Sequence, residues 1–318
     1  MDSINAIGTD GTHVVLVIDV FLKHIFDPEI FQQCLDAILG FGTTLQLQSA
    51  ANKLTVLGSN AVKNTVLYLD PDSLLDVEYF DVDGQQNEKI AYIVNKFRRN
   101  FASWIHESSN FSTEATSNSL LSGALSQALC ILHRDKDDFK ASRIVIFSLG
   151  TDNPNYYSAQ YMKLINCFFA AQKSNVMIDA CSLSLNREKE KDQTSMPATL
   201  EDRFAASILQ QGCDQTEGRY VRFYKVAPLV EHLFWYVLPN SEMRKEMILP
   251  PKLKVAPPAA CFCHRKPLEV GYVCSVCVSI FCQYSPYCRV CNSNVIKSTL
   301  QQIAHLRHPQ IDEPEIAF

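Results

Sequence analysis

Val14-Val15-Leu16-Val17-Ile18 is apolar at every position and, Leu16 apart, β-branched. A strand with one wet face would alternate polar and apolar residues. An unbroken run suits a strand buried on both faces, as in the middle of a parallel sheet. Pro28 then opens a helical pattern in which Ile30/Phe31, Cys34/Leu35 and Ile38/Leu39 recur every four residues. Two short strands follow near 53–58 and 62–69, and Ser59-Asn60 between them predicts a hairpin. Ile90, Ile93, Val94, Phe97, Phe101, Trp104 and Ile105 form the apolar stripe of a long helix. A Ser/Thr/Asn stretch over 108–119 separates it from a helix carrying Leu121, Ala124, Leu125, Ala128, Leu129 and Leu132.

Strands and helices then alternate: a strand over 143–149, a helix over 157–173, a strand over 176–185 and a short strand over 219–224. Thr199, with Asp202 three residues on, marks the start of the helix between the last two strands. A final apolar-faced helix covers 228–238, and the mixed charge run over 186–192 reads as a solvated loop. The order β-α-β-β-α-α-β-α-β-α-β-α predicts an α/β fold, a doubly wound sheet with helices on both faces. Five of the 14 prolines (Pro239, Pro250, Pro251, Pro257 and Pro258) fall within 239–260, which reads as a stiff linker. The expected domains are therefore an α/β domain over 1–238, a linker over 239–260, a cysteine-rich module over 261–291 and a tail over 292–318.

Composition narrows the function classes. The 318 residues carry a formal net charge of −5, 47 % hydrophobic, 20 % charged and 10 % aromatic residues. Such a chain buries a core and is not disordered. Its mild acidity argues against a surface built wholly for nucleic acid. Residues 1–13 hold two acids, no Lys or Arg and no apolar segment, so no signal peptide is expected. The longest apolar runs are too short to span a bilayer. A reducing compartment follows, in which clustered cysteines serve metals more often than disulfides.

Seven of the 12 cysteines lie between 261 and 291. The spacing Cys274-x2-Cys277-x10-Cys288-x2-Cys291 predicts one closed, structural Zn2+ site: each pair wraps two thiolates around the metal, and two pairs complete a tetrahedron. The ion would also supply much of the folding energy of so small a module. Cys261, Cys263, His264 and Cys282 leave two readings open. They form a second site interleaved with the first, or they are thiols packing a tiny core. The second-site spacing wants a ligand near 285, where Ser285 stands, and adjacent Cys263 and His264 are awkward ligands for one ion. Arg265, Lys266 and Arg289 against Glu269 are few cations for phosphate contacts. Phe262, Tyr272, Phe281, Tyr284 and Tyr287 suit packing or a protein partner better than base stacking.

In an open α/β sheet, ligands gather at the carboxyl ends of strands. Asp19 and Asp152 fall there. This arrangement resembles a von Willebrand factor A domain, a family that binds Mg2+ through Asp-x-Ser-x-Ser, a later Thr and a later Asp. Here the motif reads Asp19-Val20-Phe21-Leu22-Lys23, and Ser119 stands at the Thr position. Phe21 offers no oxygen and the Lys23 ammonium would compete with a cation, so no Mg2+ is expected at Asp19, Ser119 and Asp152. The acidic stretch 70–88 fails as a Ca2+ loop: with Gly84 at the sixth position, Tyr79 and Ile90 occupy positions that need acids. No nucleophile elbow, phosphate loop or zinc-protease motif occurs, His24, His133 and His232 have no readable partners, and no catalytic residue is assigned.

The run Ala-Cys-Phe-Cys-His-Arg…Gly-Tyr-Val-Cys-Ser-Val-Cys…Ile-Phe-Cys over 260–282, behind a Pro-rich linker and an A-like domain, resembles the smaller von Willebrand A-domain subunits of general transcription factor TFIIH. Ala170-Ala171-Gln172-Lys173, Ile178-Asp179-Ala180-Cys181 and Ile248-Leu249-Pro250-Pro251 agree with it. The resemblance implies a nuclear, non-enzymatic scaffold in RNA polymerase II initiation and nucleotide excision repair. It implies as partner the larger von Willebrand A subunit with its RING-like finger, support of the helicases, and only indirect association with DNA. It implies neither a membrane nor a small-molecule substrate. A RING-type ubiquitin ligase and a directly DNA-binding zinc protein are the competing classes.

Overall fold

A computed structural model describes residues 11–20, 28–49, 51–69, 86–109, 120–149, 160–183, 200–223, 225–249, 259–264, 267–268 and 270–294. Two compact units divide at Pro257/Pro258.

The first unit is built on a six-stranded sheet: β1 (Thr12–Val20), β2 (Lys53–Ser59), β3 (Asn64–Leu69), β4 (Ala141–Leu149), β5 (Met177–Leu183) and β6 (Tyr220–Phe223). The order is β3-β2-β1-β4-β5-β6. β3 pairs antiparallel with β2 and every other pair is parallel. β1 therefore has a neighbour on each side and helices over both faces, which is why none of residues 14–18 alternates in polarity; all five are buried.

One face carries α1 (Pro28–Gln48), α2 (Gln86–Ser109) and α6 (Leu229–His232), the last running straight into a π-helical turn, Leu233–Val237. Their buried side chains share one core with Val14, Leu16, Ile18 and Val20 of β1. The predicted stripe of α2 supplies Ile93, Phe97, Phe101 and Trp104 to that core, each worth about 1.5–3 kcal/mol when fully buried. The other face carries α3 (Leu121–Arg134), α4 (Tyr161–Lys173) and α5 (Leu200–Gln215), packed in series over the strands. Both α4 and α5 stop in the same way. Asn175 and Glu217 adopt φ of 56° and 61°, and the amides of Val176 and Gly218 reach back to Ala171 O (2.9 Å) and Cys213 O (2.8 Å).

The predicted order of elements is the observed one to residue 238. The stretch read as a linker differs in part: it contains α7 (Ser241–Glu246), whose first turn is capped by Asn240 accepting from Met243 N at 2.8 Å. The hairpin turn also runs longer than Ser59-Asn60, with Asn60 Oδ1 accepting from the amides of Val62 and Lys63. Phe21, Lys23, Ser119, Asp152, the helix start at Thr199, the charge run 186–192 and the tail from 295 lie outside the described residues, as does the acidic stretch up to 85.

The second unit holds two small antiparallel hairpins. β7 (Ala259–Ala260) pairs with β8 (Pro267–Leu268), and β9 (Tyr272–Val273) pairs with β10 (Ile280–Phe281). Among the described residues its apolar core is little more than Cys274, Phe281 and Cys288, with Cys277 against them. A core this small leaves most of the stabilisation to something other than burial.

Candidate metal centre

The second hairpin and the loop after it present two tight turns of the same shape. Cys274 follows β9 directly, and the chain turns back so that Val278 N donates to Cys274 O at 2.9 Å. Cys288 begins the second turn, where Asn292 N donates to Cys288 O, also at 2.9 Å. The residue after each pair takes the left-handed conformation, Val278 at φ 58° and Asn292 at φ 56°. The equivalence of the turns follows from equal Cys-x2-Cys spacing, which sets two sulfurs on the inner side of each turn.

All four sulfurs, of Cys274, Cys277, Cys288 and Cys291, lie within 4.8 Å of one another. The two turns meet sulfur to sulfur: Cys274 Sγ is 3.7 Å from Cys291 Sγ, and Cys277 Sγ is 3.5 Å from Cys288 Sγ. Disulfide sulfurs stand about 2.05 Å apart, so these are not bonded pairs. Two thiolates at about 2.3 Å from one tetrahedral ion stand about 3.8 Å apart, which the observed spacing approaches. The cluster could therefore hold a metal ion. Four protein sulfurs would fill its coordination sphere and leave no position for a reacting water.

The surroundings do not act alike on the four sulfurs. Hydrogen bonds lower Cys274 and Cys291, whereas, against amide donors from Cys291 and Val290, burial and the adjoining Cys277 and Cys291 sulfurs push Cys288 up to about 11. Amide donors from Cys277 and Val276, with the Ser293 hydroxyl, draw Cys274 down to about 6. Ser293 is a member of this environment that spacing alone does not reveal: its Oγ lies 3.5 Å from Cys274 Sγ and 3.0 Å from Cys291 Sγ. Burial is the chief influence on two cysteines of the sheet unit. Burial pushes Cys34 up to about 11, and it raises Cys181 further. These are packed thiols with no role in a metal site.

Cys261, Cys263 and His264 form a second group, with one ligand atom from each within 4.8 Å of the others. Cys282 joins its edge, with Sγ 3.2 Å from His264 Nδ1. Burial opposes the Cys261 thiolate, yet the amides of His264, Cys263 and Cys282 prevail and bring it to about 6. Of the predicted cations and acid of the module, only Arg289 is among the described residues.

At the sheet, Asp19 is fully buried at the next-to-last residue of β1, in register with Ser59 on one side and Ser148 on the other. The crossover from β2-β1 to β4-β5 places the switch point of the sheet there. Ser119 and Asp152, the other positions of the degenerate Mg2+ motif, lie outside the described residues.

Comparison with known proteins follows the same two regions. The solved structures similar to the chain include the TFIIH p34 N-terminal domain (TM-score 0.48, 19 % identity, 70 % of this chain and 96 % of that one). Another is the VWA domain of SpRpn10 (TM-score 0.40, 16 % identity, 69 % and 94 %). The general transcription and DNA repair factor IIH subunit tfb4 of Schizosaccharomyces pombe is 30 % identical over 259 residues, 80 % of this chain and 77 % of the relative. General transcription factor IIH subunit 3 of Dictyostelium discoideum is 33 % identical over 178 residues, 55 % of this chain but only 42 % of the relative. The family model described as transcription factor Tfb4 matches residues 13–292, from the second residue of β1 to the residue after Cys291. Sheet and cysteine module thus fall within one continuous match, and the chain belongs to the transcription factor Tfb4 family.

Proposed function

We propose that the chain is a non-enzymatic structural subunit of TFIIH, acting in the nucleus in RNA polymerase II initiation and nucleotide excision repair. The observation that carries this reading is the S. pombe relative, a TFIIH subunit matched over four-fifths of the chain. In this reading Cys274, Cys277, Cys288 and Cys291 hold Zn2+, the ion that suits a tetrahedron of thiolates, and the ion shapes a contact surface rather than a reaction centre.

The module's surface supports a contact role. Val270, Val273, Val276, Val278, Tyr287 and Val290 are all exposed. So many exposed apolar residues on so small a unit suit a protein partner that would remove them from water. The partner in this reading is the larger von Willebrand A subunit with its RING-like finger, and through it the helicase subunits. Tagged full-length chain recovered from nuclear extract should co-elute with that subunit and both helicases. A profile of free monomer in the same extract sinks the proposal. Ubiquitin discharge from a loaded conjugating enzyme by the purified chain would instead favour a ligase.

A further inference from the structure

The two hairpins of the second unit are joined at their ends. Phe262 N donates to Ile280 O at 2.8 Å, and Cys282 N donates to Cys261 Sγ at 3.3 Å. This brings Cys261, just after β7, against Cys282, just after β10, across 21 residues of chain. His264 turns its Nδ1 into the same place, 3.9 Å from Cys261 Sγ and 3.2 Å from Cys282 Sγ. Cys263 Sγ lies within 4.8 Å of the Cys261 and His264 ligand atoms.

We propose that Cys261, Cys263, His264 and Cys282 hold a second Zn2+ ion, interleaved with the first. A thiolate at about 2.3 Å and an imidazole nitrogen at about 2.0–2.1 Å from one tetrahedral ion stand about 3.6 Å apart. The two sulfur–nitrogen distances fall on either side of that value. Along the chain the ligands alternate between centres: 261–264 to the second, 274 and 277 to the first, 282 to the second, 288 and 291 to the first. Each ion then ties together segments that the other leaves apart, so the pair replaces the core this unit lacks.

The alternative, thiols packed into a small core, does not account for the group. Cys263 and His264 are exposed and Cys282 is half-buried, so burial does not explain their convergence on Cys261. Ser285 is not the fourth ligand: its Oγ donates to Tyr287 O at 2.7 Å within its own loop. Cys263 takes that place, because the turn over 262–264 brings its sulfur within 4.8 Å of the Cys261 sulfur.

Elemental analysis of the full chain, purified without chelator, should give two zinc ions per chain. One ion per chain overturns the proposal. The paired substitution Cys261→Ser with Cys282→Ser should lower the count from two to one, and retention of two overturns the ligand assignment. Because substitution here risks unfolding the module, a second measurement uses the unsubstituted chain exchanged into cadmium-113. It should show two resonances, one of a four-thiolate site and one displaced by a nitrogen ligand. A single resonance, or two of the four-thiolate type, overturns the proposal. None of these readouts depends on TFIIH association, which stands or falls on co-elution.

Discussion

Arg244 grips Asp179 with both ends of its guanidinium, Nη1 to Oδ1 at 2.9 Å and Nη2 to Oδ2 at 3.0 Å. Asp179 is fully buried on β5, and Arg244 comes from α7, 65 residues later. The carboxylate also accepts from Arg143 Nε at 2.7 Å and from Arg219 N at 2.8 Å. Burial would raise its pKa, but the two guanidiniums and these donors outweigh it and hold the group ionised. Arg143 and Arg244 in turn both donate to the Val237 carbonyl, closing the end of the π-helical turn.

Breaking this network should be costly because every member is desolvated. Asp179→Ala strands two buried guanidiniums and is expected to lose about 3–5 kcal/mol of stability. Arg244→Ala leaves Asp179 with Arg143 and Arg219 N, and a smaller loss of about 2 kcal/mol is expected. Urea denaturation of the full chain measures both. An Arg244→Ala midpoint equal to that of the parent would mean that α7 contributes nothing to the sheet unit.

Asp135 gives the acid limb of stability a specific source. Burial works against its ionised form, but the Arg134 and Lys53 hydrogen bonds, at 2.7 and 2.9 Å, bring it down to about 2. His13 Nδ1 also faces it at 3.4 Å. The folded pKa is below the usual carboxylate value of about 3.9, so the unfolded chain takes up the proton first as pH falls. The stabilisation is therefore complete above pH about 4 and is lost on the way to about 2. The stability difference between the parent and Asp135→Asn, measured by denaturation at a series of pH values, should narrow across that window. A difference that stays constant would mean that Asp135 is not held ionised by these partners.

The contrast between β1 and α7 shows what the sequence could disclose. Residues 14–18 report their own surroundings, because a strand covered on both faces must be apolar throughout, and the pattern is local. The partner of Arg244 is not local. Prolines on either side of 241–246 read as a linker, and the cap that Asn240 gives α7 shows only in the fold. The cysteine module divides similarly. Equal Cys-x2-Cys pairs announce their own convergence, whereas Cys261 and Cys282 meet only because two hairpins are stitched at Phe262 and Ile280. Adjacent Cys263 and His264 read as poor co-ligands, yet the turn over 262–264 brings both within 4.8 Å of Cys261.

Metal removal should separate the two units. Among the described residues the cysteine module has almost no apolar core, while the sheet unit has an extensive one. Chelation is therefore expected to abolish protection of the amides over 272–292 in hydrogen exchange and leave the strands β1 and β4 protected. Cys288→Ser should reproduce the effect without chelator. Protection of the module that persists after complete zinc loss would show that side-chain packing alone holds it.

Val278 carries strain that the matching turn avoids. Both Val278 and Asn292 sit at left-handed φ, 58° and 56°, and both donate to a carbonyl four residues back. That conformation suits Asn, whereas for a β-branched residue it costs about 1–2 kcal/mol. Val278 is 70 % exposed, so replacing it removes no core contact. Val278→Asn is therefore expected to stabilise the metal-bound module by about 1 kcal/mol, seen as roughly five-fold slower zinc release to a competing chelator. Asn292→Val should change release in the opposite direction by a similar factor. If both substitutions leave the release rate unaltered, the turn geometry does not limit metal retention.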